Sequence, residues 1–127
     1  MTFEEYAQRV IRTAEYPLVG LNMVYPAPKL AGEAGELADK IGKHWRNSYN
    51  PASIHSREEA ALAGMDARSL TSEQKLEIVK ELGDVLWYVN ALAVELGVSL
   101  QVVAVQNVVK VEDRRTRGVI KSEGDNR

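Results

Sequence analysis

Apolar residues return every three or four positions along two long stretches of this chain, and beside each apolar stripe stands a pair of acids three residues apart. Leu30, Ala34, Leu37, Ala38, Ile41 and Trp45 make the first stripe, between about Pro28 and Arg46. Ile78, Leu82, Val85, Leu86, Val89, Leu92, Ala93 and Leu96 make the second, capped by Thr71 or Ser72 and ended by Gly97. At about 100° per residue only a helix gathers such positions on one side. The acids are Glu33 with Glu36 and Glu81 with Asp84. Residues three apart share a helical face, so each pair offers two carboxylates side by side, and two such helices packed together would bring four acids to one place.

The remaining segments also read as helix. Thr2 and Glu5 form a capping box ahead of Phe3, Tyr6, Ala7, Val10, Ile11 and Ala14, which predicts a first helix to about Tyr16, stopped by Pro17. Residues 18–28 read as an irregular connection; a short strand at 21–25 has no partner to pair with. Ser99 caps a last helix from about Leu100 to Arg115. Six valines from Val98 to Val109 favour a strand, but only a helix puts Asn107, Lys110 and Arg114 on one face. The expected fold is all-α: a bundle of four main helices in a single domain, 1–127, assembled as a dimer or a dimer of dimers.

Between the acidic helices, 47–72 reads as a long loop carrying one short helix from about Arg57 to Ala63, with a capping box at Ser56 and Glu59. A loop of that length in a small domain is functional or mobile. The polar tail 118–127 reads as disordered. Gly32, Gly35 and Gly42 each weaken the second helix by about 1 kcal/mol relative to alanine, which points to a close approach by another helix or a ligand.

Composition narrows the function. A net charge of −2 on 127 residues, 45% of them hydrophobic, is that of an ordinary soluble protein and argues against nucleic acid or a membrane as the main partner. With no cysteine there is neither a disulfide framework nor a thiolate metal site. No basic leader or spanning apolar run is present, and a cytoplasmic location is expected.

A lone acidic triplet on a helix is usually a solvated face. Two that border apolar faces are different, because like charges gathered near a core repel unless a cation or protons compensate. Hard divalent cations take several oxygen ligands, so a magnesium site is the reading that explains both pairs. His44 and His55 lack the Glu-x-x-His spacing of di-iron bundles, and both are read as without a partner. No phosphate loop of the G-x-x-x-x-G-K-[ST] type occurs. Tyr88, one turn beyond Asp84, is placed to flank whatever the acids hold.

Taken together, Leu30-Ala31-Gly32-Glu33-Ala34-Gly35-Glu36-Leu37 and Lys80-Glu81-Leu82-Gly83-Asp84-Val85-Leu86-Trp87-Tyr88 resemble the two-part signature of the MazG-like nucleoside triphosphate pyrophosphohydrolases. Tyr25-Pro26, the Asn107-x-x-Lys110-x-x-x-Arg114 pattern and the ending Gly124-Asp125-Asn126-Arg127 are similar to the small stand-alone members of phages and gene cassettes. Many members carry a glutamate at the position of Gly32; the chain departs from that pattern in the way of the subgroup resembling dCTP pyrophosphatases. The stretch between Glu36 and Glu81 is also longer than usual.

The resemblance implies an all-α enzyme that cleaves ribo- or deoxynucleoside triphosphates to the monophosphate and pyrophosphate, removing surplus or non-standard nucleotides. It implies magnesium, or manganese in its place, held by Glu33, Glu36, Glu81 and Asp84, which are also the catalytic residues. Tyr88 and Trp45 would stack on base or sugar, while Asn107, Lys110, Arg114 and Lys40 would meet phosphate. A homodimer or homotetramer with the site near the interface is implied too. Two other readings stand beside it: a non-catalytic helical dimer that binds a nucleotide or a protein, and a related pyrophosphohydrolase acting on phosphoribosyl-ATP.

Overall fold

The computed structural model describes residues 1–48, Ser56, Glu59 and 70–119. Among them there are four α-helices and no strand: α1 (Phe3–Val10), α2 (Pro26–Ser48), α3 (Ser72–Glu95) and α4 (Leu100–Thr116), with a 3-10 turn, Ile11–Thr13, after α1. The expected all-α fold is what the chain adopts. The strand alternatives at 21–25 and in the valine run fail, the second because Ser99 Oγ accepts from Val102 N and starts α4 as a capped helix. Of the expected short helix and tail, only Ser56, Glu59, Gly118 and Val119 are among the described residues; Ser56 and Glu59 form the anticipated capping box at 3.1 and 3.0 Å.

Two boundaries differ from expectation for identifiable reasons. The first α-helix ends at Val10 rather than near Tyr16, because residues 14–16 leave helical conformation ahead of Pro17, as the residue before proline tends to do. The second begins two residues early, since Pro26 and Pro28 occupy its first turn, where the missing N–H groups have no helical acceptor to lose.

The chain forms two compact units, Met1–Met23 with Val89 onward, and Val24–Tyr88. In the first, α1 packs on α4. Its buried residues are Tyr16, Ala91, Ala93, Leu100 and Asn90. Asn90 is 1% exposed and its Nδ2 has no hydrogen-bond partner among the described residues. Beside it opens a cavity of about 320 Å³ lined by Gln8, Ile11, Asn90, Val94 and Leu100, among others.

Glu95, at the end of α3, fastens the loop that follows the 3-10 turn. Its carboxylate accepts from Tyr16 Oη at 2.6 Å, Gly20 N at 2.9 Å and Asn22 N at 2.5 Å. The loop can offer those amides because Leu18 and Gly20 take positive φ, 61° and 89°. Burial alone pushes the Glu95 carboxyl up, yet the three donors outweigh it and hold the group below its ordinary value. Glu95 lies on the same helix as Glu77, Glu81 and Asp84, but its role is that of anchor for this loop.

In the second unit, α2 and the first part of α3 run antiparallel. Lys40 pairs with Glu81 and His44 with Glu77, so four residues forward on one helix match four residues back on the other. Much apolar surface stays open along all three long helices: Ile41, Trp45, Leu76, Val79 and Leu82 are 46 to 57% exposed, and Val102, Val105, Val108 and Val109 are 45 to 56% exposed. A Cβ added at Gly32, Gly35 or Gly42 would meet nothing within 4 Å, so these glycines are not there to admit another part of the described chain.

Candidate functional site

Within the antiparallel pair the helical repeat dictates which side chains converge. Glu33, Glu36 and Lys40 lie along one edge of α2, and Glu77, Glu81 and Asp84 along the facing edge of α3. Carboxylate oxygens of Glu33, Glu36 and Glu81 all fall within 4.8 Å of one another. Asp84 is not one of the three that converge so closely, but its charge acts on Glu33. Of the four acids expected to gather, three therefore meet at a point and the fourth stands beside them, exposed.

Their electrostatics are those of an under-compensated cluster. Desolvation raises the Glu33 carboxyl above its ordinary value, and Glu36, Asp84 and Glu81 add to the rise, opposed only by Lys29. Among the described residues the one cation in direct contact is Lys40, whose Nζ lies 2.6 Å from Glu81 Oε1. That hydrogen bond raises the Lys40 ammonium above its ordinary value, against a smaller opposing effect of desolvation. One turn further along, His44 Nε2 lies 3.2 Å from Glu77 Oε2, an ion pair when the imidazole is protonated. His44 was expected to stand without a partner. Sequence spacing hides the pair because Glu77 lies on another helix, and only the antiparallel register reveals it.

This donor set fits a hard divalent cation. Oxygens on opposite sides of an octahedral magnesium lie about 4.2 Å apart, so three carboxylates already within 4.8 Å need only small side-chain adjustments. The chemistry agrees as well: several carboxylates at a half-buried seam, one of them already resisting ionisation, are what a cation would relieve.

Aromatic groups flank the acids. Tyr88, one turn past Asp84, shares a hydrogen bond with Tyr25, and its ring meets Trp87 edge-on with centroids 4.7 Å apart. Burial first, then the Tyr25 hydroxyl and the charge of Glu33, raise the Tyr88 hydroxyl above its ordinary value, so it stays a neutral donor. Tyr25 was missed as a site residue because it precedes the helix and belongs to no periodic pattern. Trp45 is 49% exposed near the end of α2.

Asn107, Lys110 and Arg114 occupy α4, in the other unit. Asn107 and Lys110 open together onto a groove of about 650 Å³ whose other walls are Val98, Val102, Val103 and Gln106. Arg114, one turn beyond Lys110, is half-buried.

The profile of the MazG nucleotide pyrophosphohydrolase domain matches residues 26–119, which takes in both acidic pairs and α4. The chain is also similar to the Gene 37 protein of Mycobacterium phage L5, at 36% identity over 120 residues, covering 91% of this chain and 90% of that protein. No solved structure matches the chain.

Proposed function

The chain belongs to the MazG nucleotide pyrophosphohydrolase family, and from that premise we propose that it is a magnesium-dependent hydrolase of ribo- or deoxynucleoside triphosphates, releasing pyrophosphate and leaving the monophosphate. The observation that carries this reading is the convergence of Glu33, Glu36 and Glu81 on one point of the α2–α3 seam, with Asp84 beside it.

Each group has a task in that reaction. Glu33, Glu36, Glu81 and Asp84 would hold magnesium, or manganese in its place. The cation supplies charge compensation for the phosphates and acidifies water. One carboxylate of the α2 pair, Glu33 or Glu36, accepts the proton of the water that attacks the α-phosphorus while the bond to the β-phosphate oxygen breaks. Tyr88 remains neutral and can donate a hydrogen bond while its ring and that of Trp45 offer stacking faces to base or sugar. Lys40, Asn107, Lys110 and Arg114 are assigned to phosphate oxygens, for which ammonium, amide and guanidinium donors are suited.

The same reading makes the chain a homo-oligomer engaged in clearing surplus or aberrant nucleotides. Support for assembly comes from the exposed valines of α4 and the exposed apolar residues of α2 and α3, more apolar surface than a stable monomer usually leaves in water. Among the described residues no single helix is long and apolar enough to cross a membrane.

The test is pyrophosphate release from a panel of canonical ribo- and deoxynucleoside triphosphates, with magnesium and with chelator, for wild type and Glu81→Gln. Release that needs the cation and collapses in the variant is the expected result, and the panel ranks the bases. A folded, oligomeric protein that releases nothing from any triphosphate refutes the proposal and favours a binding role.

A further inference from the structure

Lys40 is the only cationic side chain in direct contact with the three converging carboxylates among the described residues. It sits one turn beyond Glu36 on α2 and crosses the seam to Glu81 on α3. Its contact, at 2.6 Å, is with the same residue that must contribute to the cation site. The Glu81 side chain is only 14% exposed and that of Lys40 33%, so water screens the pair less than it would a surface bridge.

We propose that Lys40 is a placeholder for the divalent cation: it neutralises Glu81 while the cluster is empty and gives that carboxylate up when the cation binds, which frees its ammonium for the triphosphate. The proposal rests on the reading of Glu33, Glu36 and Glu81 as cation ligands.

Two consequences follow from charge and linkage. Lys40 and the cation compete for one carboxylate, so the lysine weakens cation binding in the absence of nucleotide. An ammonium bound to Glu81 is also withheld from phosphate, so cation and nucleotide must favour one another's binding, by the same factor in both directions. A lysine that only bridged the two helices would do neither. Nor would one that shared Glu81 with the cation, each taking a different oxygen. Lys43 provides the contrast. It lies less than one turn further along α2 and pairs with Asp39 on its own helix, away from the three acids.

The experiment is a calorimetric titration of manganese into wild type, Lys40→Met, Lys40→Gln, Lys43→Met and Glu81→Gln, each first shown folded by circular dichroism. It is repeated with a deoxynucleoside triphosphate whose α and β phosphorus atoms are joined by methylene. Removing Lys40 should tighten manganese binding about three- to tenfold, on the scale of a partly buried ion pair. Lys43→Met should change it less than about twofold, since the charge it removes is exposed and paired elsewhere. The analogue should tighten manganese binding in wild type and clearly less in Lys40→Met.

Unchanged or weaker manganese binding in both Lys40 variants overturns the proposal, and so does an equal gain in Lys43→Met, which would reduce the effect to net charge. Failure of the underlying reading looks different: wild type then binds no manganese, or Glu81→Gln binds it as well as wild type, and the placeholder role falls with it.

Discussion

Replacing Asn90 by alanine should stabilise the protein, although the residue is 1% exposed and truncation of a buried side chain usually does the opposite. Three effects compete. The Asn90 Nδ2 donor has no partner, and a buried donor left unsatisfied costs about 1–3 kcal/mol. The position is well inside α3, where asparagine is less favourable than alanine by about 0.6 kcal/mol. Against these, the lost amide leaves a void of roughly one water volume, ~30 Å³, which at ~24 cal/mol per Å³ costs about 0.7 kcal/mol. The balance favours Asn90→Ala by about 1–3 kcal/mol. With an unfolding entropy of about 2.1 cal/mol/K per residue, that is a rise in Tm of about 4–11 °C for a chain of 127 residues. Urea and thermal unfolding of wild type and variant at one protein concentration measure it. A loss of more than about 1 kcal/mol would refute the reasoning, since it would mean that the amide is satisfied in solution by a group outside the described residues, water in the adjoining cavity included.

The neighbouring Ala91 is wholly buried, and overpacking it by Ala91→Leu should cost about 1–3 kcal/mol in the same unfolding assay. Glu95→Gln should loosen the loop from Tyr16 to Asn22, seen as faster hydrogen exchange at the Gly20 and Asn22 amides. Because the Glu95 carboxyl is held below its ordinary value when folded, its support is present above that ordinary value and is lost as pH falls through the lowered one. Wild type should therefore lose stability across that acidic window more steeply than Glu95→Gln; parallel pH profiles would count against the loop anchor. Saturating magnesium, at about one hundred times its Kd, should raise stability by about 2.7 kcal/mol in wild type and far less in Glu81→Gln, and chelator should reverse the gain in a thermal melt.

Much of the fold was legible because helix formation here is a local matter. Thr2 with Glu5, Thr71 with Gln74, and Ser99 with Val102 N each announce a helix start within four residues, and each forms. The acids likewise lie where periodicity puts them, on facing edges of α2 and α3. Long-range pairings were not legible. Glu95 looks like one more acid on an acidic face until the fold brings Gly20 and Asn22 to it across more than seventy residues. Lys40 could be read as a phosphate ligand from its chemistry, but its bond to Glu81 depends on a register between helices that no spacing within one helix encodes. The stop of α1 at Val10 shows the same limit, because a proline several residues ahead and a distant partner for Tyr16 decide it together.

The register of α2 against α3 also bears on how such a chain can change over time. Lys40 with Glu81 and His44 with Glu77 are matched by helical phase, each residue's angle being set by its own helix. Inserting or deleting residues between Ser48 and Ser72 changes the length of the connection but rotates neither helix. The entropic cost of a longer connection grows only as the logarithm of its length, about 0.6 kcal/mol per doubling. One residue inserted between Lys40 and His44, by contrast, would turn one member of the ladder about 100° away from its partner. Lineages are thus free to lengthen the segment between the two acidic motifs, while a single-residue slip inside either helix would be purged.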